Sequence, residues 1–82
     1  MMELKDTVEM MLSSDYKERF KAEYWQLRIR HDKLQKMVDN WENLDFTPTC
    51  AYSTYVCQLL AMEDYITVLK SRAEQEGIKL DD

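Results

Sequence analysis

Apolar residues recur at helical spacing in three segments of the chain. In the first segment, Leu4, Val8 and Met11 follow one another at steps of four and three, which places them on one face and predicts a helix over about residues 2–12. In the other two segments the steps alternate between four and three, the spacing of a heptad seam. These seams predict a second helix over about residues 16–41 and a third over about residues 50–76.

The two seams are suited to pack against each other. A hairpin of two antiparallel helices buries one such stripe on each helix, and the short first helix is expected to lie across the pair. The seam of the second helix is Phe20, Tyr24, Leu27, His31, Leu34, Val38 and Trp41, and that of the third is Tyr52, Tyr55, Leu59, Met62, Ile66, Leu69 and Ala73.

Short polar segments separate the predicted helices. Asp15, with Glu18 three residues later, has the pattern of a capping box, and Pro48 marks a loop between the two seams. Gly77 lies where a left-handed residue ends a helix, and Ile78 can supply the apolar contact that usually follows. One glycine and one proline in 82 residues leave few turns for a sheet. The predicted fold class is all-α: a short N-terminal helix plus a long antiparallel helical hairpin, in one domain over residues 1–82.

Both long helices carry more apolar side chains than one hairpin can bury. At about 100° per residue, a second set of apolar positions lies away from each seam, and a short first helix covers only part of it. An uncovered apolar patch of this kind marks an interface, and so short a chain supplies little core of its own. We therefore expect a homo-oligomer joined through Trp25, Ile29, Cys57, Ala61, Tyr65 and Val68. The alternative is a monomeric three-helix domain in which the first helix covers these residues.

Basic residues are concentrated in the second predicted helix. The chain has a net charge of −5, but residues 17–36 hold seven of the eleven Lys and Arg and three of the sixteen acids, so this segment carries +4 and the remainder −9. Aromatic rings, hydroxyls and arginines together suit a phosphate-bearing base, through stacking and charge-assisted hydrogen bonds. The candidate ligand contacts are Tyr16, Lys17, Lys21, Arg28, Ser53 and Thr54. The alternative is that these are solvated helix faces, offset by acids of the other helices.

No residue pattern indicates catalysis. The only histidine, His31, has no metal-ligand partner at suitable spacing on its own face, and the neighbouring Asp32 is expected to point elsewhere. A histidine in a seam is interpreted as a polar core residue that fixes the register of the helices. The chain has no HExxH motif, glycine-rich phosphate loop or cysteine cluster, so we expect no enzyme activity, no metal and no cofactor.

The composition also restricts compartment and partners. Cys50 and Cys57 are seven residues apart, about 10 Å along a helix, which is too far for a disulfide and favours a reducing environment. No apolar run approaches the ~18 residues of a membrane span, and the acidic charge argues against general nucleic-acid binding. We therefore expect a cytoplasmic protein without a membrane partner.

The hairpin resembles known families. The segments DYKERFKAEYWQLRIRHDKLQKMVDNW, FTPTC and QLLAMEDYITVLKSRAEQEGI resemble a family of small phage and prophage proteins related to crAss-like phage sequences. The layout is also similar to the helical hairpin domain of phage sponge proteins, which sequester the cyclic nucleotide signals of CBASS and Thoeris immunity as oligomers. In that domain an Arg usually precedes the Met of the second arm, whereas STYVCQLLAM has none before Met62.

The resemblance implies a function in the cytoplasm of a bacterial host. The hypothesis is a phage-encoded, non-catalytic antagonist of bacterial immunity that binds a cyclic-nucleotide-type signal as a homo-oligomer. One alternative is an acidic protein–protein inhibitor of a host defence protein, similar to an anti-CRISPR, because the −9 remainder of the chain can mimic a nucleic-acid backbone. Another is a small structural or assembly adaptor of the phage.

Overall fold

The computed structural model describes residues 2–80, so both ends of the domain predicted over residues 1–82 lie outside the described residues. Three α-helices follow one another: α1 (Val8–Met11), α2 (Tyr16–Asp39) and α3 (Tyr52–Glu76). Two 3₁₀ helices complete the secondary structure, Leu4–Thr7 before α1 and Trp41–Asn43 after α2. The all-α class and the long hairpin of α2 and α3 are confirmed.

The seams of α2 and α3 form the core. Phe20 and Tyr24 of α2 pack with Ile66, Leu69 and Ala73 of α3, and all five are buried. Because these positions recur every three or four residues, they lie on the facing sides of the two helices, as the heptad pattern predicted. Farther along the hairpin, Val38 and Leu59 are also buried.

The N-terminal segment packs on α2, on the side away from α3. Thr7 is fully buried there; its hydroxyl donates to the carbonyl of Leu4 at 2.7 Å and accepts from the amide of Gln26 at 3.0 Å. Ala22, one turn before Gln26, is buried as well. The predicted first helix over residues 2–12 is therefore shorter in α form, because its first turn is a 3₁₀ helix with a capping box between Glu3 and Asp6.

The closed end of the hairpin differs from the predicted helix bounds. α2 was predicted to continue to Trp41 but ends at Asp39, where Asn40 turns the chain and its side chain donates to the carbonyl of Lys36 at 2.9 Å. Trp41 then packs its ring on Tyr52 and Tyr55 at centroid distances of 5.2 and 6.0 Å. α3 begins at Tyr52 rather than near Cys50, since Ala51 is extended and supplies the cap position.

The C-terminal end of α3 folds the tail back onto the hairpin. Gly77 has φ +70°, and the amides of Gly77 and Ile78 donate to the carbonyls of Glu74 and Ala73. This is a Schellman motif, which needs a left-handed residue at Gly77. It places Ile78 in the core and Leu80 against its edge, as the sequence predicted for Ile78.

One face of α3 has no cover within the described chain. Leu60 and Val68 are 57% and 54% exposed, and Cys57 and Ala61 on the same side of the helix are exposed as well. We call these four residues the outer face of α3. Both cysteines are free thiols. Whether a second copy covers this face stays a prediction.

Candidate functional site

A groove of about 770 Å³ runs along α2. We call it the Trp25 groove. Its helical wall comes from positions that share one side of α2, opposite the seam with α3, and residues before the 3₁₀ helix close one edge. The lining residues are Met2, Glu3, Trp25, Arg28, Ile29, Asp32, Lys33, Gln35 and Lys36.

Trp25 and Ile29 give the groove an apolar floor. The indole of Trp25 meets the ring of Tyr24 edge-on, with centroids 5.2 Å apart at 83°, and its N–H donates to the carbonyl of Leu80 at 3.1 Å. The polar atom of the indole is therefore satisfied by the tail, and the ring is fixed from two sides. Such a held aromatic ring is suited to stack a planar ligand.

Three cations surround this floor: Arg28, Lys33 and Lys36. Arg28 is the most constrained of them, because its Nη1 donates to the Tyr24 hydroxyl at 2.9 Å and its Nε lies 3.5 Å from an Asp32 carboxylate oxygen. The hydrogen bond to Tyr24 and the charge of Asp32 raise the pKa of Arg28 above its ordinary value. A fixed guanidinium is suited to bind the anionic group of a ligand.

Asp32 also connects the groove to the hairpin seam. One of its carboxylate oxygens lies 3.1 Å from Nδ1 of His31, and Nε2 of His31 lies 2.9 Å from a carboxylate oxygen of Glu63 on α3. The expectation that Asp32 points away from His31 is therefore wrong. The carboxylate of an exposed neighbour can fold back along the helix surface, which the angle between adjacent residues does not reveal.

The pKa of His31 reflects these two carboxylates. Partial burial of the ring lowers its pKa, but the hydrogen bonds to Glu63 and Asp32 outweigh burial, and the pKa lies above the ordinary 6.5. His31 is thus a polar residue of the helix interface with charged partners on both sides.

The structure spreads the predicted ligand contacts along the whole length of the hairpin. Arg28 lines the groove, and Lys21 lies two turns before it on the same edge of α2, paired with Glu18 at 3.7 Å. Ser53 and Thr54 are exposed at the start of α3, beside the closed end. Because α2 and α3 run antiparallel, one chain does not bring Ser53 next to Lys21.

Tyr16 and Lys17 lie at the open end, beside the last turn of α3. The hydroxyl of Tyr16 donates to Glu76 at 2.9 Å and accepts from Arg72 at 2.7 Å, so the hydrogen bond to Glu76 raises its pKa. The Arg72 guanidinium also stacks over Phe20, 4.9 Å from the ring centroid. These contacts hold the two helix ends together and leave Tyr16 engaged within the chain.

The residues predicted for an oligomer interface also divide into two groups. Trp25 and Ile29 are half-buried and line the groove. Cys57, Ala61 and Val68 lie on the outer face of α3, and Tyr65 is exposed at its edge, where its hydroxyl donates to Glu23 of α2. That hydrogen bond raises the pKa of Tyr65.

Sequence reasoning did not single out Lys33, Lys36 or Gln35 as site residues. A signal was present, because Trp25, Ile29, Asp32 and Lys36 recur at steps of four, three and four, and thus share one side of the helix. Met2 and Glu3 form part of the groove, and the periodicity of α2 does not predict where these two residues lie.

Among residues 2–80, no group of three or more His, Cys, Asp or Glu side chains is arranged to hold a metal ion. Within the same range, no helix has both the length and the apolar character to cross a membrane. The groove offers stacking, apolar contact and positive charge.

Comparison with known proteins gives one match. No curated protein and no solved structure matches the chain. The sequence pattern that defines the Sequestin family matches residues 14–75, which span all of α2, the loop and nearly all of α3. The chain therefore belongs to the Sequestin family.

Proposed function

We propose that this chain is a phage-encoded, non-catalytic protein that sequesters a cyclic-nucleotide-type signal in the Trp25 groove, acts as a homo-oligomer and thereby antagonises bacterial immunity. The name of the family supports a sequestering role without catalysis. The nucleotide class, the phage origin and the immune role rest on the resemblance of the hairpin to phage sponge proteins.

The composition of the groove is the observation that carries the proposal. A nucleotide needs a flat apolar surface for its base and cations for its phosphates. The groove supplies the ring of Trp25 for the first, and Arg28 and Lys36 for the second. Its volume of about 770 Å³ falls within the roughly 300–1,000 Å³ typical of small-molecule sites.

The outer face of α3 supports the homo-oligomer. It presents Leu60 and Val68 to solvent, whereas the opposite side of the helix buries Leu59, Ile66, Leu69 and Ala73. Cys57 and Ala61 of the same face are small, so a second helix can approach closely. Contiguous apolar surface of this kind marks a protein interface.

Isothermal titration calorimetry with a panel of ligands tests the proposal. The panel contains cyclic di- and trinucleotides and cyclic ADP-ribose isomers, and we expect at least one to bind at micromolar concentration or tighter. Absence of heat with every member at tens of micromolar protein contradicts the proposal.

The two tryptophans allow the site to be located by fluorescence. Trp25 lines the groove, whereas Trp41 lies at the closed end of the hairpin. We expect ligand to quench the emission of a Trp41→Phe variant and to leave a Trp25→Phe variant unquenched. Quenching confined to Trp41 places the ligand at the closed end and contradicts the assignment to the groove.

Charge variants separate this function from the acidic inhibitor. Lys36→Gln removes a cation of the groove and should weaken ligand binding, whereas Lys70→Gln, an exposed change on α3 outside the groove, is the matched control. Reversal of Asp39, Glu42 and Asp45 should leave ligand binding unchanged. If that reversal instead abolishes inhibition of a host nuclease, the chain acts as an acidic protein inhibitor.

A further inference from the structure

Four charged or titratable side chains connect the groove to α3. Nε of Arg28 lies 3.5 Å from Oδ2 of Asp32, and Oδ1 of Asp32 lies 3.1 Å from Nδ1 of His31. On the other side of the ring, Nε2 of His31 lies 2.9 Å from Oε2 of Glu63. His31 stands in the middle, with its side chain only 15% exposed. Arg28 and Asp32 line the groove, and Glu63 belongs to the other helix.

Both ring nitrogens of His31 face carboxylate oxygens. A neutral imidazole donates from one nitrogen only, so its other nitrogen would set a lone pair against a carboxylate. The protonated ring donates from both nitrogens and satisfies Asp32 and Glu63 together. The geometry is therefore that of an imidazolium, with Glu63 the charged group that faces it from α3 and Asp32 the one from α2.

Asp32 contacts two basic groups through different carboxylate oxygens, His31 through Oδ1 and Arg28 through Oδ2. Its carboxylate is shared between His31 and Arg28, and it is the one acidic side chain of α2 that lines the groove. When His31 is protonated, it holds Asp32 and balances its charge. When His31 is neutral, the Asp32 carboxylate interacts mainly with Arg28. It then competes with the anionic group of a ligand for that guanidinium.

We propose that His31 is a positioning residue for the groove: its protonated ring holds Asp32 and thereby frees Arg28 for the anionic group of the ligand, so that binding tightens as His31 gains its proton. This inference rests on the proposed function. By linkage, binding must in turn promote protonation of His31. The ligand class is a phosphodiester or pyrophosphate, whose charge does not itself change near neutral pH.

Calorimetry across pH tests this device. The probes are cyclic di-AMP, cyclic di-GMP and cyclic ADP-ribose, titrated between about pH 5.5 and pH 8.5, the range that brackets histidine titration. We expect affinity about three- to tenfold higher at the acidic end. In buffers of different ionisation enthalpy, proton uptake should accompany binding at pH values between the pKa of His31 in the free protein and its pKa in the complex.

Two variants distinguish positioning from a structural role. His31→Gln should remove both the pH dependence and the proton uptake. Glu63→Gln removes one of the two carboxylates and should move the pH midpoint of binding downward, although Glu63 does not line the groove. Glu74→Gln, which removes another exposed carboxylate of α3, should leave the profile unchanged.

His31 can also be observed without ligand, because it is the only histidine. Its ring resonances in an NMR pH titration should shift to a lower midpoint in Asp32→Asn and in Glu63→Gln. Binding that does not depend on pH in the unmodified protein, or a pH dependence that survives His31→Gln, overturns this inference and leaves the proposed function standing. Absence of binding at every pH overturns both.

Discussion

The inner and outer faces of α3 have similar apolar content but different surroundings. On the inner face, Leu69 is fully buried and Ile66 and Ala73 are nearly so. On the outer face, Leu60 and Val68 are more than half exposed. The burial of an apolar helix residue therefore depends on which side of the helix it occupies. The inner stripe packs against α2, whereas the outer stripe has no partner within the described residues.

Truncation on each face should give the largest contrast in stability. Leu69→Ala removes a fully buried side chain and should lower the free energy of unfolding by about 2–5 kcal/mol. Leu60→Ala is the matched control and should change it by less than about 0.5 kcal/mol in the monomer. Urea denaturation followed by circular dichroism at low protein concentration measures both. Equal losses would mean that the two faces are equally packed.

A charge on the outer face tests the second molecule directly. Leu60→Glu or Val68→Glu should raise the dissociation constant of the oligomer at least tenfold, which is about 1.4 kcal/mol or more, because it buries an unpaired carboxylate in the interface. Lys70→Glu, an exposed change on the side of α3 next to Tyr24, is the control. Sedimentation velocity is the measurement. If the unmodified protein sediments with the 9.9 kDa mass of a single chain at micromolar concentration, the predicted interface is contradicted.

The cap at Gly77 tests how the tail reaches the inner face. Gly77→Ala should cost about 1 kcal/mol, because an L residue in the left-handed region is strained, while the added Cβ would meet no atom within 4 Å. Glu74→Ala, an exposed change in the last turn, should be nearly neutral. Thermal unfolding measures both. A neutral Gly77→Ala would show that the tail is not fixed by the Schellman motif.

The smallest effect is the pH dependence of the contact between His31 and Glu63. In the folded protein the pKa of His31 lies above its ordinary 6.5. The contribution of His31 to the free energy of unfolding is therefore fully present below the pKa of the unfolded chain, and it is lost as the pH rises through the pKa of the folded protein. Denaturation at about pH 6 and pH 8 should therefore show greater stability at the lower pH. The stability difference between the two pH values should be smaller in Glu63→Gln. If it is unchanged in that variant, the pH dependence of stability comes from other groups.

Much of the fold was predictable because one physical rule dominates it. The heptad spacing of Phe20, Tyr24, Leu69 and Ala73 determines which sides of the helices face each other, and Gly77 determines where α3 ends. The rule failed at Trp41. Its ring packs against Tyr52 of α3 as a seam residue would, but α2 has already ended at Asp39. The rule also failed at the first turn, which begins with a reciprocal cap between Glu3 and Asp6 but is a 3₁₀ helix.

The candidate site was less predictable, because it depends on how separate segments come together. Arg28 was identified from its edge of the helix, and it lines the groove. Ser53 and Thr54 were grouped with it by residue type, and the antiparallel hairpin separates them. The bond between Trp25 and Leu80 spans 55 residues, a distance over which a periodic pattern carries no information.

Both ends of the described chain converge on Trp25: Met2 and Glu3 line its groove, and Leu80 accepts its indole N–H. An affinity handle attached at Met2 would therefore stand at the edge of the groove and obstruct it. A circular permutant that joins Met2 to Leu80 through a linker and opens the loop between Leu44 and Ala51 would move the handle to the far end of the hairpin.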